Sequence, residues 1–459
     1  MELTREQHAA LRFVTEATHS RRRAVLRGYA GVGKTTVTSA YVRDLLRHGY
    51  ETIVAAPTHK ALDILRGKIG EGPRYLTCAS LLGEVPAGNG EVEQRGERKD
   101  GEAEVVVVDE ASMINRRTLG RLLDSPARVL LVGDPAQLPP VKETESAAFS
   151  LPNVPSFLME TIVRQGEGNP IIDLSQCIRR RIDDEELFLL DELMGMVGKR
   201  FEFVSYDKLR TYAIHALHNG IKAPILAHTN AQVDAHNRAI HSYLHPGVPL
   251  FAEGELAFVN DTVFGGTEPI LKNGDYHVVE RCTFARELEG VPLYEVRLEG
   301  IDMAFTVAGD LTLLQQALDR LKKQIDKEGG KRNAALWLAQ AKEALHYRMS
   351  AAGITNGPEY DEAMQKLERE HYAEESHMQE LRNRLGKLKG LTQLRHSYAF
   401  TVHKSQGSTF DAALVDFSDI ARVGALEGQR SFKRMLYTAV TRPSHWLVFG
   451  LTDKSLPRA

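Results

Sequence analysis

The chain has little of what marks secreted, membrane-spanning or metal-cluster proteins. Its 459 residues include only three cysteines, Cys78, Cys177 and Cys282, which are widely spaced and odd in number. This usage favours a reducing compartment over a disulfide framework or a zinc site. No apolar run reaches the roughly 20 residues of a transmembrane helix, and the N-terminus lacks the charged and then apolar pattern of a signal peptide. We therefore expect a cytoplasmic protein with no membrane partner.

The chain also lacks a strong charge of either sign. Its formal net charge is −3, from 58 Lys and Arg against 61 Asp and Glu. Any groove for nucleic acid must be a local feature, because the whole chain carries no basic footprint. We find no solenoid repeat, no low-complexity tract and no nuclease, polymerase or metal-cluster signature. The length suggests about three domains.

The first half of the chain alternates short apolar strands with helical stretches. Ala24–Leu26 leads into a glycine-rich loop and a helix, and the β-branched run Val105–Val108 is typical of a parallel strand buried on both faces. Such alternation predicts an open parallel sheet covered by helices. The polar, glycine-rich segment Gly83–Gly101 interrupts the pattern and is predicted to be an inserted hairpin or loop.

A second α/β region begins near Leu158, with a strand over Pro224–Ala227 and a helix that Asn230 can cap. Short alternating strands over residues 254–307 then predict a small β-barrel. Residues 311–390 are charged and helical. Because strands return after this stretch, the second α/β domain is predicted to be split by the barrel and the helices.

The strongest motif is the phosphate-binding loop from Gly28 to Thr35, with the sequence GYAGVGKT. Its glycines let backbone N–H groups point inward around phosphates, and the following helix presents its positive end to them. We expect Lys34 to reach the β- and γ-phosphates of ATP and the Thr35 hydroxyl to ligate Mg²⁺. The candidate nucleotide-binding residues of this segment are Gly28, Gly31, Val32, Gly33, Lys34, Thr35 and Thr36.

Polar residues also follow the next predicted strands. Asp109 and Glu110 come directly after Val105–Val108, where Asp109 is suited to hold Mg²⁺ and Glu110 to activate the attacking water. Gln137 follows a later strand and can sense the γ-phosphate. All these elements end parallel strands, at the edge where open α/β sheets bind ligands. The sequence therefore predicts an ATPase site with ATP and Mg²⁺ as its ligands.

Together these motifs resemble those of superfamily 1 DNA helicases of the RecD-like branch, which includes the phage helicase Dda. The resemblance runs along nearly the whole chain in motif order. It implies an α/β protein with two RecA-like domains that share one ATP site. The expected limits are 1–150 for the first domain with a candidate pin at 83–102, 151–252 plus 391–459 for the second, 253–310 for the barrel and 311–390 for a helical arm.

The resemblance also implies roles for residues outside the phosphate-binding loop. Gln7 resembles the adenine-reading element ahead of the loop, Arg164 the arginine that the second domain sends to the nucleotide, and Arg442 the arginine finger. The predicted catalytic residues are Lys34, Glu110, Gln137, Arg164 and Arg442. The predicted nucleotide-binding residues add Gln7, Asp109, Arg164 and Arg442 to the loop.

Further motifs resemble the family's contacts to single-stranded DNA. Residues 55–61 are similar to the first DNA-contacting motif, and residues 401–409 give the strongest signal in the C-terminal half. The resemblance implies contacts to backbone and stacked bases, so base sequence should matter little. The DNA-binding candidates are Pro57, Thr58, His59, Thr77, Thr401, His403 and Ser408.

The resemblance implies an ATP-dependent DNA helicase that moves 5′-to-3′ on single-stranded DNA and acts at duplex junctions. Replication or recombination proteins would be its partners, in a bacterial cell or a phage-infected host. Relatives commonly carry an aromatic residue at the strand-splitting pin, yet Gly83–Gly101 contains no Phe, Tyr or Trp. A translocase or an RNA-directed remodeller that unwinds DNA weakly therefore stays open, as does a P-loop switch without motor activity.

Overall fold

The computed structural model divides the chain into two compact units. Unit 1 comprises residues 1–248, 256–276 and 395–459, and unit 2 comprises residues 249–255 and 277–394. Arg164, predicted to contact the nucleotide, lies outside the described residues. Among the described residues, no helix is long and apolar enough to cross a membrane. The structure describes residues 3–87, 91–94, 96–141, 143–163, 169–184, 201–265, 268–329, 334–351 and 357–452.

The first lobe of unit 1 follows the β–α alternation of the sequence. Its elements are α1 (Arg5–Arg21), β1 (Arg23–Gly28), α2 (Lys34–Arg47), β2 (Thr52–Ala56), α3 (His59–Ile69), β3 (Arg74–Thr77), α4 (Cys78–Leu81), β4 (Glu84–Ala87), β5 (Glu91–Gln94), β6 (Val105–Val108), α5 (Arg116–Leu123), β7 (Arg128–Gly133) and β8 (Ser156–Met159). Six strands form a parallel sheet in the order β3-β2-β6-β7-β1-β8. The antiparallel pair β4–β5 lies in the segment predicted to be an inserted hairpin.

The central strand β6 shows why this lobe needs continuous apolar strands. Val105 and Val107 pack in the core that α2 and α3 cover, whereas Val106 and Val108 pack in the core that α5 covers. Successive side chains of a strand point to opposite faces, so a sheet covered on both faces buries every residue of such a strand. The carboxyl ends of these strands, where the predicted site residues follow, are therefore held by a rigid support.

The remaining elements belong either to the second lobe of unit 1 or to unit 2, according to the bounds given above. In chain order they are α6 (Pro170–Arg180), β9 (Phe203–Ser205), α7 (Tyr206–His218), β10 (Ile225–Ala227), α8 (Asn230–Leu244), β11 (Leu256–Val259), β12 (Val263–Gly265), β13 (Glu268–Leu271), β14 (Tyr276–Leu288), β15 (Val291–Leu298), β16 (Ala304–Ala308), α9 (Leu311–Gly329), α10 (Ala334–Ala351), α11 (Pro358–Lys389), β17 (Leu394–His396), β18 (Ala399–Thr401), α12 (Val402–Ser405), β19 (Phe410–Asp416), α13 (Phe417–Leu426), α14 (Gln429–Val440) and β20 (Pro443–Leu451).

The second lobe contains a parallel sheet of five strands in the order β18-β10-β19-β20-β9. Helices α6, α13 and α14 contribute to the core on one face, and α7 and α8 contribute to the core on the other. Two parallel sheets, each covered by helices, confirm the predicted α/β fold class.

Helix α8 corrects one local prediction. The helix begins at Asn230, but its capping residue is Thr229, whose Oγ1 accepts a hydrogen bond of 3.2 Å from Gln232 N. The prediction that Asn230 caps this helix is therefore wrong by one residue. Thr229 has the extended backbone that a capping residue needs, and Asn230 is already helical.

Unit 2 combines antiparallel strands with long helices. Strand β14 pairs with β15, and β15 pairs with β16. Buried residues of β15, such as Leu293, share a core with Leu314 and Leu321 of α9 and Leu381 and Leu388 of α11. The strands lie where the barrel was predicted, and closure into a barrel stays a prediction. The charged segment 311–390 is divided into α9, α10 and α11.

Candidate active site

The phosphate-binding loop joins β1 to α2 and uses backbone conformations that glycine favours. Gly31 and Gly33 have φ angles of 83° and 89°, in the left-handed region that other residues enter at a cost. A Cβ atom on Gly33 would also lie 2.3 Å from Gln7 Nε2. Glycine is therefore required at position 33 for two reasons, its backbone conformation and the close approach of Gln7.

Gln7 connects the start of α1 to this loop. Its Oε1 accepts a hydrogen bond of 3.0 Å from Thr4 N, and its Nε2 donates one of 3.2 Å to Val32 O. The side chain is 5% exposed, so its amide is engaged in holding the loop. The structure thus assigns Gln7 a bracing contact that sequence reasoning missed, and adenine recognition by Gln7 stays a prediction.

Most of the predicted nucleotide residues lie around one cavity of about 340 Å³. This cavity is called here the nucleotide cavity, and both lobes contribute to it. From the first lobe, Gly31, Gly33, Lys34, Thr35, Thr36, Asp109, Glu110 and Gln137 line the cavity. From the second lobe, Gly407, Ser408, Thr409, Thr441 and Arg442 line it.

Lys34 lies at the mouth of the phosphate-binding loop. Its Nζ donates hydrogen bonds of 2.8 Å to Gly28 O and 3.0 Å to Tyr29 O. An ammonium group has three donors, so the third can reach a phosphate oxygen. Helix α2 begins at Lys34, and its first N–H groups and its positive end add to the same anion-binding potential.

The acidic pair after β6 has the properties of a cation site. Burial, and then the Glu110 carboxylate, raise the pKa of Asp109 well above its usual range. Glu110 adopts a left-handed backbone with φ 51° and ψ 40°, and its Oε2 is buried without a hydrogen-bond partner among the described residues. A nearby cation would favour the charged form of Asp109. With the Thr35 hydroxyl, these oxygen donors fit Mg²⁺, a hard cation.

Gln137 and Asp134 form a buried polar pair after β7. Gln137 Nε2 donates to Asp134 Oδ2 at 3.4 Å, and Gln137 Oε1 is buried with no partner in the described part of the chain. Tyr437 Oη of α14 also donates to Asp134 Oδ2, at 2.9 Å, and accepts a hydrogen bond of 3.2 Å from Ala30 N. Gln137, which lines the nucleotide cavity, is therefore linked through Asp134 to the second lobe.

Two further hydrogen bonds join the lobes beside this pair. Leu138 N donates to Thr438 Oγ1 at 3.3 Å, and Gln406 Nε2 donates to Leu138 O at 3.4 Å. Sequence reasoning missed Tyr437, Thr438 and Gln406 as functional residues. The available signal was their position inside the motifs that contain Arg442 and Thr401.

Arg442 is held in place by its own lobe. Its Nε donates to Thr438 O at 3.0 Å, its Nη1 to Ser408 O at 3.3 Å and its Nη2 to Thr441 Oγ1 at 3.1 Å. The residue lines the nucleotide cavity together with Lys34 and Glu110. A guanidinium fixed in this way is preorganised for charge on a phosphate.

The three predicted DNA-binding threonines share one structural role. Thr58, Thr77 and Thr401 follow β2, end β3 and end β18, and each caps the next helix by accepting a hydrogen bond from a backbone N–H. A hydroxyl that accepts one bond keeps its own proton to donate. Each threonine can therefore donate to a backbone phosphate while it fixes the start of its helix.

The other DNA candidates have different surroundings. Pro57 and His59 flank Thr58 and are half-buried, and His403 is half-buried in the short helix α12. Burial, and then His228, lower the pKa of His403 to about 4. Ser408 lines the nucleotide cavity, where its carbonyl accepts a bond from Arg442. Its contact to DNA stays a prediction. The chain turns back towards the first lobe after α12, which the motif alone did not reveal.

Comparisons with known proteins find matches in the N-terminal and C-terminal parts of the chain. Residues 2–199 match the AAA domain family, and residues 396–449 match the family of UvrD-like helicase C-terminal domains. The ATP-dependent DNA helicase dda of Enterobacteria phage T4 is 25% identical over 57% of this chain and 62% of its own length. The ATP-dependent RecD2 DNA helicase of Deinococcus radiodurans is 36% identical, over 33% of this chain and 21% of its own length.

Two further similarities extend over almost the whole chain. An uncharacterised protein of Acanthamoeba polyphaga mimivirus is 24% identical over 96% of this chain and 97% of its own length. Among solved structures, the Pif1 helicase from Candida albicans covers 99% of this chain and 95% of its own, with a TM-score of 0.48 and 17% identity. The match to UvrD-like helicase C-terminal domains, together with the similarity to Dda and RecD2, identifies this chain as related to the superfamily 1 helicases of the Dda and RecD-like group.

Proposed function

We propose that this chain is an ATP-dependent DNA helicase that moves 5′-to-3′ along single-stranded DNA and separates strands at duplex junctions. One observation carries the proposal: Arg442 of the second lobe lines the same cavity as Lys34 and Glu110 of the first. A hydrolysis site built from two lobes makes turnover depend on how the lobes meet. Binding energy at the nucleotide can then bias a two-state closure of the lobes.

The residues of the cavity divide the chemistry of hydrolysis among them. Lys34 and the N–H groups at the start of α2 bind the phosphates, and Thr35 and Asp109 would hold Mg²⁺. When bound, Mg²⁺ neutralises charge on the phosphate oxygens. Glu110 Oε2, which has no partner among the described residues, takes a proton from the attacking water. Arg442 stabilises the negative charge that develops on the transferred group.

Coupling to movement follows from the contacts of Asp134. Gln137 faces the nucleotide cavity and bonds to Asp134, and Tyr437 of the second lobe bonds to the same carboxylate oxygen. A change in Gln137 when the γ-phosphate leaves therefore alters a contact between lobes. Because Thr58 and Thr77 lie in one lobe and Thr401 in the other, motion between the lobes moves one strand grip relative to the other.

The proposed DNA contacts fit recognition without base sequence. The threonine hydroxyls and helix starts suit phosphates, and ring side chains such as His59 and His403 suit stacking on bases, worth about 1–3 kcal/mol per base. A duplex step costs about 1.4 kcal/mol on average. The two energies are comparable, so a firmly held strand can compete with re-annealing. Junctions in replicating or recombining DNA are the substrate that we propose.

Tailed forks test the proposal directly. A fluorescent duplex with a 5′ tail should be unwound in the presence of ATP and Mg²⁺, and the same duplex with a 3′ tail should not. Single-stranded DNA should strongly stimulate ATP hydrolysis, and Lys34→Ala should abolish both activities. Hydrolysis that is indifferent to nucleic acid, or unwinding only from the 3′ tail, would contradict the proposal.

The aromatic-free segment Gly83–Gly101 favours a second candidate, a translocase or RNA-directed remodeller that unwinds DNA weakly. It predicts DNA-stimulated hydrolysis without fork opening, or faster opening of RNA-containing forks. Unwinding of matched DNA and RNA forks distinguishes a DNA helicase from an RNA-directed remodeller. Displacement of a label bound to the end of single-stranded DNA measures translocation without unwinding. A P-loop switch without motor activity predicts that Arg442→Ala leaves hydrolysis unchanged.

A further inference from the structure

A second cavity, of about 280 Å³, lies in unit 1 and shares no lining residue with the nucleotide cavity. We call it the arginine cavity because four arginines line it. Arg27 comes from β1 of the first lobe, and Arg179, Arg430 and Arg434 come from α6 and α14 of the second. Neither ATP binding nor the proposed strand contacts use these side chains.

The carboxylates of the arginine cavity are already occupied. Among its described lining residues these are Glu145 and Asp183. Arg430 bonds to both, with its Nη1 2.5 Å from Glu145 Oε1 and its Nη2 2.9 Å from Asp183 Oδ1. Arg430 makes both contacts, and with Arg27, Arg179 and Arg434 it sets four positive charges against two negative ones, so the described lining keeps an excess of positive charge.

Arg434 is the most deeply placed of these three arginines. It is 7% exposed, and its Nε and Nη1 are buried without a hydrogen-bond partner among the described residues. Arg27 Nε is also buried without a hydrogen-bond partner among the described residues. Buried charged donors without acceptors are costly in a folded protein. This cost is removed if an external acceptor enters the cavity.

Arg179 stacks the face of its guanidinium on an aromatic ring. Its guanidinium carbon lies 3.5 Å from the centre of the Tyr29 ring, which belongs to the phosphate-binding loop. The N–H groups of a guanidinium lie in its plane, so a stacked arginine keeps its fork of donors for a planar or tetrahedral oxyanion. Tyr29 therefore presents Arg179 to a ligand without consuming its hydrogen bonds.

We propose that the arginine cavity binds a multiply charged oxyanion of the phosphate class, with Arg434 as its central donor. Arg27 belongs to the first lobe, whereas Arg179 and Arg434 belong to the second. A bound anion would therefore be held by both lobes and would favour the arrangement in which they meet. This site goes beyond the proposed helicase function, since it requires neither hydrolysis nor DNA.

Calorimetry with inorganic pyrophosphate tests the site. The full chain is first saturated with Mg²⁺ and the imido analogue of ATP, so that the phosphate-binding loop is filled. Pyrophosphate should then bind at one further site per chain. Arg434→Gln should weaken this binding by about tenfold or more, because a hydrogen bond to a charged group is worth at least about one decade in affinity. Arg179→Gln should weaken it in the same direction.

The matched control is Arg422→Gln, which removes an exposed arginine of α13 outside the cavity. It should bind pyrophosphate like the unaltered chain. A parallel titration with thymidine 5′-monophosphate identifies the source of the anion: binding of both ligands indicates phosphate esters, and binding of pyrophosphate alone indicates free anions. Binding of the ATP analogue reports that each variant is folded. If Arg434→Gln is not folded, the loss of pyrophosphate binding in Arg179→Gln decides the outcome.

Three outcomes would overturn the site. These are no pyrophosphate binding at millimolar concentration, undiminished binding in the folded arginine variants, and an equal loss in Arg422→Gln. The last outcome would show only general attraction to positive charge. None of these results depends on unwinding, so failure of this site and failure of the proposed function are distinguishable.

Discussion

Tyr437 Oη donates a hydrogen bond of 2.9 Å to Asp134 Oδ2. The two residues belong to different lobes, and both are buried. Burial, and then the Asp134 carboxylate, raise the pKa of Tyr437 well above its ordinary value, so the hydroxyl keeps its proton. Tyr437 Oη also accepts a hydrogen bond from Ala30 N of the phosphate-binding loop. One hydroxyl therefore links the second lobe to two segments that surround the nucleotide.

Tyr437→Phe removes this hydroxyl and keeps the packed ring. Asp134 then loses one of its donors, and a hydrogen bond to a charged group contributes about 1.5–3 kcal/mol. We expect the free energy of unfolding to fall by about that amount, and the stimulation of ATP turnover by DNA to fall by about tenfold. Urea denaturation and ATPase rates with and without single-stranded DNA measure the two effects.

Tyr41→Phe is the matched control for this variant. Tyr41 is equally buried and shares a hydrogen bond of 2.7 Å with Thr18 Oγ1, within the first lobe and outside the lining of the nucleotide cavity. It should lose stability without losing stimulation by DNA. Equal loss of stimulation in both variants would mean that Tyr437 acts through stability alone.

Arg442→Ala should reduce the turnover number for ATP at saturating DNA by about 10³–10⁵, the range observed for arginine fingers. Arg442→Lys should recover little of this rate, because an ammonium cannot reproduce a fork fixed by Thr438, Ser408 and Thr441. Steady-state kinetics measure the turnover numbers of both variants. Arg422→Ala is the control and should keep the turnover number of the unaltered chain. If the turnover number of Arg442→Ala falls by less than tenfold, Arg442 does not act as an arginine finger in ATP hydrolysis.

Gly33→Ala should abolish ATP binding, and Gly49→Ala should not. Both glycines have a positive φ, 89° and 79°, so alanine strains both by about 1–2 kcal/mol. Only at Gly33 would the new Cβ also meet Gln7 Nε2, whereas the space around Gly49 is open. Binding of a fluorescent ATP analogue compares the two variants.

The double variant Gln7→Ala with Gly33→Ala separates collision from backbone strain. If the amide of Gln7 is the obstacle, its removal should restore part of the lost binding. Gln7→Ala alone should weaken binding modestly, because the loop loses the bond to Val32 O. A double variant no better than Gly33→Ala would assign the whole defect to the backbone.

His403 should make stability sensitive to acid. Its pKa in the folded chain is about 4, below the value of about 6.5 for an unfolded histidine. Between these values the unfolded chain binds more protons, so the stabilising contribution is complete above about pH 6.5 and is lost as the pH falls towards 4. At pH 5 the loss should reach up to about 2 kcal/mol.

Urea denaturation at pH 7 and pH 5 measures this effect as a difference between the unaltered chain and His403→Gln. The variant should lose less stability over the interval. His48→Gln, which removes an exposed histidine, should behave like the unaltered chain. Parallel losses in all three proteins would mean that His403 does not titrate in this way.

The sequence was sufficient where function depends on neighbouring residues. The spacing of Gly28–Thr35 fixes a loop and the helix that starts at Lys34, and Asp109 and Glu110 follow a strand whose burial its composition requires. The fold class follows from the same alternation. These features are local, so most residues of the motif line the nucleotide cavity, although Gly28 and Val32 do not.

The sequence was insufficient where function depends on residues that meet across the lobes. Nothing in the composition of α14 indicates that Tyr437 bonds to Asp134, because the pair is created by packing of one lobe on the other. Ser408 was predicted to contact DNA because of its motif, and the motif did not reveal that its carbonyl accepts a bond from Arg442. The adenine-reading role of Gln7 came from the resemblance and stays a prediction, whereas its contacts with Thr4 and Val32 were not evident from the sequence.

The strands of the two sheets are distributed unequally along the chain, with consequences for synthesis. All six strands of the first sheet lie between Arg23 and Met159, whereas β10 ends at Ala227 and pairs with β18, which starts at Ala399. During translation the first lobe can fold early, but the second must wait for its distant partner and close a very long loop. Nascent chains halted before Ala399 should therefore protect the first lobe from protease but not the second.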